Sequence, residues 1–271
     1  MMRTNKRRIA LLLGMMLLGL TLAGCASTGE DVGLSKVMDK GVLVMGLDDA
    51  FPPMGFRDED QNIVGFDVDV ATEVASRMGV ELQLQPIDWS SKEQELSAGN
   101  VDCLWNGFTK TPQREEQMCL STAYMKNTQV VVLPADSTVQ SIDDLAGKTV
   151  VVQSGSSAEL AIDELEGFEE SLKELVAVSD NVTAMMDLGT GSSDAVVMDE
   201  VVARYYMSKN EGQYRLLEES LADEEYVIGF AKQNQSLKDA VEEQLYAMAE
   251  DGTLAEISEK WFGEDLTTLG K

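Results

Sequence analysis

The chain of 271 residues contains no histidine. That absence excludes Ser-His-Asp and Cys-His nucleophilic sites, and histidine-ligated zinc, iron or copper. Proline is scarce at 5 residues and no low-complexity tract is visible, which argues against a disordered chain. Positive charge is also short: 21 Lys and Arg face 48 Asp and Glu, a formal charge of −27. Nucleic-acid phosphates would meet a repelling surface, so unaided nucleic-acid binding is excluded. What remains is globular composition, 44% apolar and 25% charged, long enough for one large or two ordinary domains.

Residues 1–24 read as a leader rather than part of a fold. Arg3, Lys6, Arg7 and Arg8 precede an apolar run over 9–22, broken only by Gly14, Gly19 and Thr21. The run is short for a bilayer-crossing helix, which needs roughly 20 apolar residues, and fits a secretory signal peptide. It ends in Leu22-Ala23-Gly24-Cys25, which resembles the bacterial lipobox, implying acylation of Cys25. The small, polar stretch that follows suits a flexible tether, expected over 25–36. Four positive charges and no acid lie in the leader, so a processed chain of 247 residues carries −31. We read that charge as solvated acidic faces. Cys103 and Cys119 remain; their number allows a disulfide, but their apolar context favours buried free thiols.

Strand and helix patterns then alternate, predicting α/β layers. Strands are expected over 42–47, 63–66, 81–86, 101–105, 129–133, 148–152, 175–178, 194–198 and 226–231. Asp67 is expected to cap a helix ending at Gly79, and Thr111-Pro112 to open another. Ser156 with Glu159 and Thr253 with Glu256 read as capping boxes. Helices are also expected over 182–188, 200–208, 236–250 and 253–262. Asp58, Asp60 and Asn62 mimic the start of a calcium loop. However, Ile63 stands where that loop needs glycine, and Asp69 where it needs glutamate, so no metal is expected.

Four features point to ligand binding, each with a plainer alternative. Arg114 lies in a first helical turn, where the dipole disfavours it. It is either a solvated surface arginine or a planar grip for a carboxylate, with Gly107 and Thr109 beside it. The run Ser154-Gly155-Ser156-Ser157 is either an ordinary helix cap or an anion seat. Asp199, just past a strand, is either an N-cap or a partner for an ammonium at the carboxyl edge of a sheet. Phe51, Trp89 and Trp105 follow or end strands; core packing explains Trp105 better than ligand contact does.

Together these pieces resemble the bacterial extracellular solute-binding proteins of family 3, the polar amino-acid receptors of ABC importers. Gly65-Phe66-Asp67-Val68-Asp69 matches the family's Gly-Phe-Asp-x-Asp signature. The segment 102–114 is similar to its strand-loop-Thr-x-x-x-x-Arg segment, and Lys260-Trp261-Phe262-Gly263 to its closing helix. The resemblance implies a two-lobed α/β periplasmic-binding-protein fold of the type II, Venus-flytrap kind, with hinge crossings near 130–134 and 219–226. One lobe would comprise 37–131 with 225–266, the other 132–224. It further implies that Arg114 and Ser156 hold the ligand's α-carboxylate, and that Asp199, Gly107 and Thr109 hold its α-ammonium. Phe51 and Trp89 would flank the side chain, with Asp48, Asn106 and Gln153 lining the pocket.

The expected ligand is a free polar amino acid, with cystine, glutamine or a basic amino acid as candidates. The expected partners are permease subunits and, through diacylglyceryl and palmitate groups on Cys25, the membrane. A monomer without cofactor, metal, catalytic residues or nucleic acid is expected. The rival reading is a dehydratase of the arogenate or prephenate type, used on the same fold; it needs a general acid over the ligand.

Overall fold

The computed structural model describes residues 31–271. The leader, the lipobox cysteine and the first part of the tether lie outside the described residues.

Twelve strands are present among the described residues. They are β1 (Val42–Leu47), β2 (Ala50–Phe51), β3 (Gly55–Arg57), β4 (Ile63–Val64), β5 (Glu81–Pro86) and β6 (Cys103–Thr109), then β7 (Met118–Leu120), β8 (Met125–Pro134), β9 (Thr149–Gln153), β10 (Glu174–Val178), β11 (Ala195–Asp199) and β12 (Tyr214–Ala231). Ten helices accompany them. These are α1 (Gly33–Lys40), α2 (Phe66–Met78), α3 (Lys92–Ala98), α4 (Pro112–Gln117) and α5 (Ser157–Asp163), then α6 (Phe168–Ser171), α7 (Asn181–Thr190), α8 (Glu200–Lys209), α9 (Gln235–Asp251) and α10 (Thr253–Phe262).

The sheet order explains the two-lobed fold. Strands run β10-β9-β11-β8-β12-β6-β1-β5, with β7 paired to β12 and a separate small sheet β2-β3-β4. The trios β6-β1-β5 and β10-β9-β11 are parallel within themselves. They are joined through the antiparallel pair β8 and β12, the two strands that link the halves. Strands β6, β9 and β11 are buried along their whole length, as parallel strands covered on both faces are. Helices cover these faces. On α2, Val70, Ala71, Val74 and Ala75 pack inward, while Ala158, Ala161 and Ile162 do so on α5. This brings the carboxyl ends of β1, β6, β9 and β11 to one cleft, where open α/β sheets bind ligands.

Several expectations need correction. Helix α1 begins at Gly33, inside the expected tether. The Asp31 carboxylate accepts the backbone and hydroxyl hydrogens of Ser236 at 2.7 and 2.6 Å, and Val37 is buried, so this segment is pinned to α9. Strand β6 runs on through Thr109, because β12 pairs with it up to Tyr226 and Thr109. Strand β12 starts at Tyr214, twelve residues before the expected strand; its acid-rich first part is held in extended form by β8. The N-cap of α2 is Gly65, and Asp67 lies inside the helix with a different task, described below. Ser156 accepts the Glu159 N–H, but the Glu159 carboxylate accepts from Gly155 rather than from the cap. Thr253 does not cap α10; its hydroxyl donates to Asp251 at 2.6 Å instead. Cys103 is buried and Cys119 half-buried, and both are free thiols.

Candidate ligand-binding site

A tightly closed cavity of about 10 Å³ lies where the two halves meet. Its walls are Phe51, Trp89, Asn106, Gly107, Thr109, Arg114, Gln153, Ser156, Ser157 and Asp199. Nine of the ten residues singled out from the sequence are therefore brought to one place, and Ser157 joins them. Asp48 is the exception: it lies behind the wall, where its carboxylate accepts from the Gln153 amide at 2.7 Å and the Ala50 N–H at 2.8 Å. Burial raises its carboxyl to about 6. Asn106 props the same turn, accepting the Asp48 N–H at 3.1 Å.

One side is built at the end of β6. Gly107 has φ of +56°, and a Cβ there would meet Phe51 at 2.7 Å, so only glycine lets the aromatic wall and the strand approach this closely. Its N–H is held by the Asp67 carboxylate at 2.7 Å, which also accepts the Tyr124 hydroxyl at 3.0 Å. Asp67 is fully buried, and that burial raises its carboxyl to about 7.

Arg114 is not a surface arginine; it is 5% exposed. Thr111 caps α4 by accepting the Arg114 N–H, and the guanidinium donates to the Thr109 carbonyl at 2.6 Å while stacking 4.2 Å from the Phe108 ring centre. Burial, above all, lowers its pKa. Trp89 packs edge-on against the same Phe108 ring, and Trp105 is fully buried in the core.

The opposite side carries the negative charge. Asp199 occupies the N-cap position of α8, yet its side chain makes no capping bond. Its Oδ1 accepts instead from Asn127 at 2.5 Å, Tyr226 at 2.8 Å and Gln129 at 3.0 Å. Burial first, and the nearby Glu224 carboxylate second, push the Asp199 carboxyl well above the ordinary range. Among the described residues neither Arg114 nor Asp199 has an ion-pair partner within 4.0 Å. A buried guanidinium and a buried carboxyl thus face one aromatic-walled cavity, both hydrogen-bonded but neither with an oppositely charged partner. That arrangement suits a zwitterion.

The halves touch around the cavity. Thr109 and Ser157 hydroxyls lie 3.1 Å apart, and the buried Lys92 ammonium donates to the Gly155 carbonyl at 2.7 Å. Sequence reasoning missed Lys92, Asn127, Gln129, Ser157 and Glu224. Ser157 sat inside the serine run already quoted. Glu224 is one of five acids between 218 and 225, and nothing in that run distinguishes it.

Comparison with known proteins agrees with this architecture. The model of the bacterial extracellular solute-binding proteins, family 3, matches residues 43–264. The L-cystine-binding protein TcyJ of Escherichia coli strain K12 is 31% identical over 94% of this chain and 96% of its own length. The arginine-binding extracellular protein ArtP of Bacillus subtilis strain 168 is 32% identical over 90% and 92%. Among solved structures, a substrate-binding protein of an ABC uptake transporter from Streptococcus pneumoniae with bound histidine superposes with a TM-score of 0.84. It has 34% identity, covering 88% of this chain and 98% of that one. With its parallel trios, crossing strands and charged cleft, the chain belongs to the bacterial extracellular solute-binding proteins, family 3.

Proposed function

We propose that the protein is the extracytoplasmic substrate-binding component of an ABC importer and captures one polar amino acid between its two lobes. The observation that carries this reading is the pair of buried, unpaired charges, Arg114 and Asp199, in one small cavity. Arg114 takes the α-carboxylate as a planar two-point donor, with Ser156 beside it. Asp199 takes the α-ammonium, with Gly107 and Thr109. Phe51 and Trp89 flank the side chain, and Gln153, held by Asp48 and Asn181, faces it from the second lobe. Relatives named for cystine and arginine, and a neighbour holding histidine, support a polar side chain.

The role is binding, not catalysis, and the partners are the ligand and the permease subunits. Lobe 1 is 37–131 with 225–266 and lobe 2 is 132–224, in a monomer. A diacylglyceryl and palmitate anchor on Cys25, after removal of 1–24, holds the protein at the cell membrane. A thermal-shift screen of the protein from Ser27 onward against the amino acids and cystine tests the reading. One ligand class should raise the melting temperature in a concentration-dependent way. A screen with no response, or turnover of arogenate or prephenate by the pure protein, would overturn it.

A further inference from the structure

Glu224 holds a position that the Arg114–Asp199 pair does not explain. It lies on the crossing strand β12, half-buried. Its Oε2 accepts from Asn127 and Gln129 on β8, both at 2.9 Å, and from Thr109 on β6 at 3.0 Å. Ser157 on α5 lies 3.4 Å from the same oxygen. One carboxylate oxygen thus gathers donors from both halves and from the linking strand. Asn127 and Gln129 are shared with Asp199, so two carboxylates face each other through two amides. The amide oxygens of Asn127 and Gln129 are buried without any hydrogen-bond partner, which leaves two more acceptors beside the pair. Four acceptor groups in one place, with no lysine or arginine paired to either carboxylate among the described residues, are a seat for a donor-rich cation.

We infer that Glu224 is a positioning residue of the ammonium seat: it ties Thr109 to Ser157 across the cavity, and its carboxylate beside Asp199 keeps a proton on Asp199 that ligand capture expels. The inference rests on the amino-acid reading of the cavity. Burial of Asp199, with the Glu224 carboxylate reached through the same two amides, favours the protonated Asp199 carboxyl when no ligand is held. When the α-ammonium arrives, that proton leaves for solvent and the positive charge of the ligand takes its place. The charged and titratable groups facing the pair are Arg114 from α4 and Tyr226 from β12, with Tyr124 behind Tyr226. On the outer rim Lys110 is occupied by Glu115 and Glu225. The groups offered by β6, β8 and α5 are neutral.

Calorimetry in buffers of differing ionisation enthalpy tests this, using L-arginine, L-histidine and L-cystine as probes on the wild type and on Glu224→Gln. The glutamine retains an acceptor for Thr109 and can donate to the orphan amide oxygens. The wild type should release a measurable fraction of a proton per ligand near pH 6.5, and Glu224→Gln distinctly less. Its affinity should fall about fivefold, as expected for a partly screened charge. Its affinity-versus-pH curve should also turn down at lower pH than that of the wild type. Should Glu224→Gln fail to fold, Glu224→Asp, which keeps the charge, should retain proton release. Equal proton release and equal affinity in wild type and variant would overturn the role of Glu224 and leave the amino-acid reading standing. Failure of the wild type to bind any of the amino acids or cystine in the thermal-shift screen would overturn both.

Discussion

The ammonium of Lys92 donates to the Gly155 carbonyl at 2.7 Å, joining the start of α3 to the β9–α5 loop on the other side of the cavity. Lys92 is 2% exposed, also donates to the Trp89 carbonyl, and lies 5.3 Å from the Trp89 ring centre. A buried lysine is otherwise costly, and burial indeed lowers its pKa. Its bond to Gly155 exists because the two halves are together, which makes it a clasp rather than a ligand contact.

Lys92→Met should therefore weaken binding of every accepted amino acid about tenfold or more, since a charge-assisted hydrogen bond is worth about 1.5–3 kcal/mol. The apolar stem is retained, so folding should survive. Stopped-flow kinetics should place the loss in faster dissociation, with the ranking of ligands unchanged. An unaltered dissociation rate would show that the contact does not hold the lobes shut.

Arg114→Ala should weaken all ligands to a similar degree, by about 2–5 kcal/mol, because all share the α-carboxylate. Trp89→Ala should instead reorder them, since the indole lines the cavity and is proposed to flank the side chain. Calorimetry with three amino acids separates the two patterns, and near-native affinity in Arg114→Ala would refute the assignment.

Stability should depend on pH through Asp67. Its folded value of about 7 lies above the unfolded value near 3.9, so the folded state binds the extra proton between them. The protein therefore loses stability as pH rises from about 4 to 7, and Asp48, at about 6, adds to the same slope. Carboxylates with depressed values, such as Asp251 at about 2, are ionised in both states above pH 5 and add nothing there. Urea unfolding should give a higher free energy at pH 5 than at pH 8, and Asp67→Asn should narrow the difference.

Gly65→Ala should cost roughly 2 kcal/mol or more. Gly65 has φ of +148°, and a Cβ there would lie 2.2 Å from the Met54 carbonyl oxygen, a backbone atom that cannot swing aside. Differential scanning calorimetry should show a melting point lowered by several degrees. Parity with the wild type would mean that the turn before α2 can shift.

Much of the site was legible because each of its residues ends or follows a strand. Gly107 and Thr109 close β6, Gln153 closes β9 and Asp199 closes β11, so finding the apolar runs located the cleft. What stayed hidden were residues whose importance lies in their partners. Glu224 is one acid among many along the chain, and only the pairing of β12 with β8 brings it against Asn127 and Gln129. Asp67 read as an N-cap because position alone suggests one; its partners, Gly107 and Tyr124, lie 40 and 57 residues away.

Local chemistry in the sequence determined the alternation of strands and helices and the exclusion of histidine-based catalysis. These follow from periodicity and composition, which act over a few residues. Tertiary structure decided which charges face one another. Burial removes Arg114 and Asp199 from water with no ion-pair partner within reach among the described residues, and turns two ordinary side chains into complementary halves of one site. The same burial sets the protonation of Asp48, Asp67 and Asp199, because desolvation depends on the atoms that surround a carboxylate and not on its neighbours along the chain.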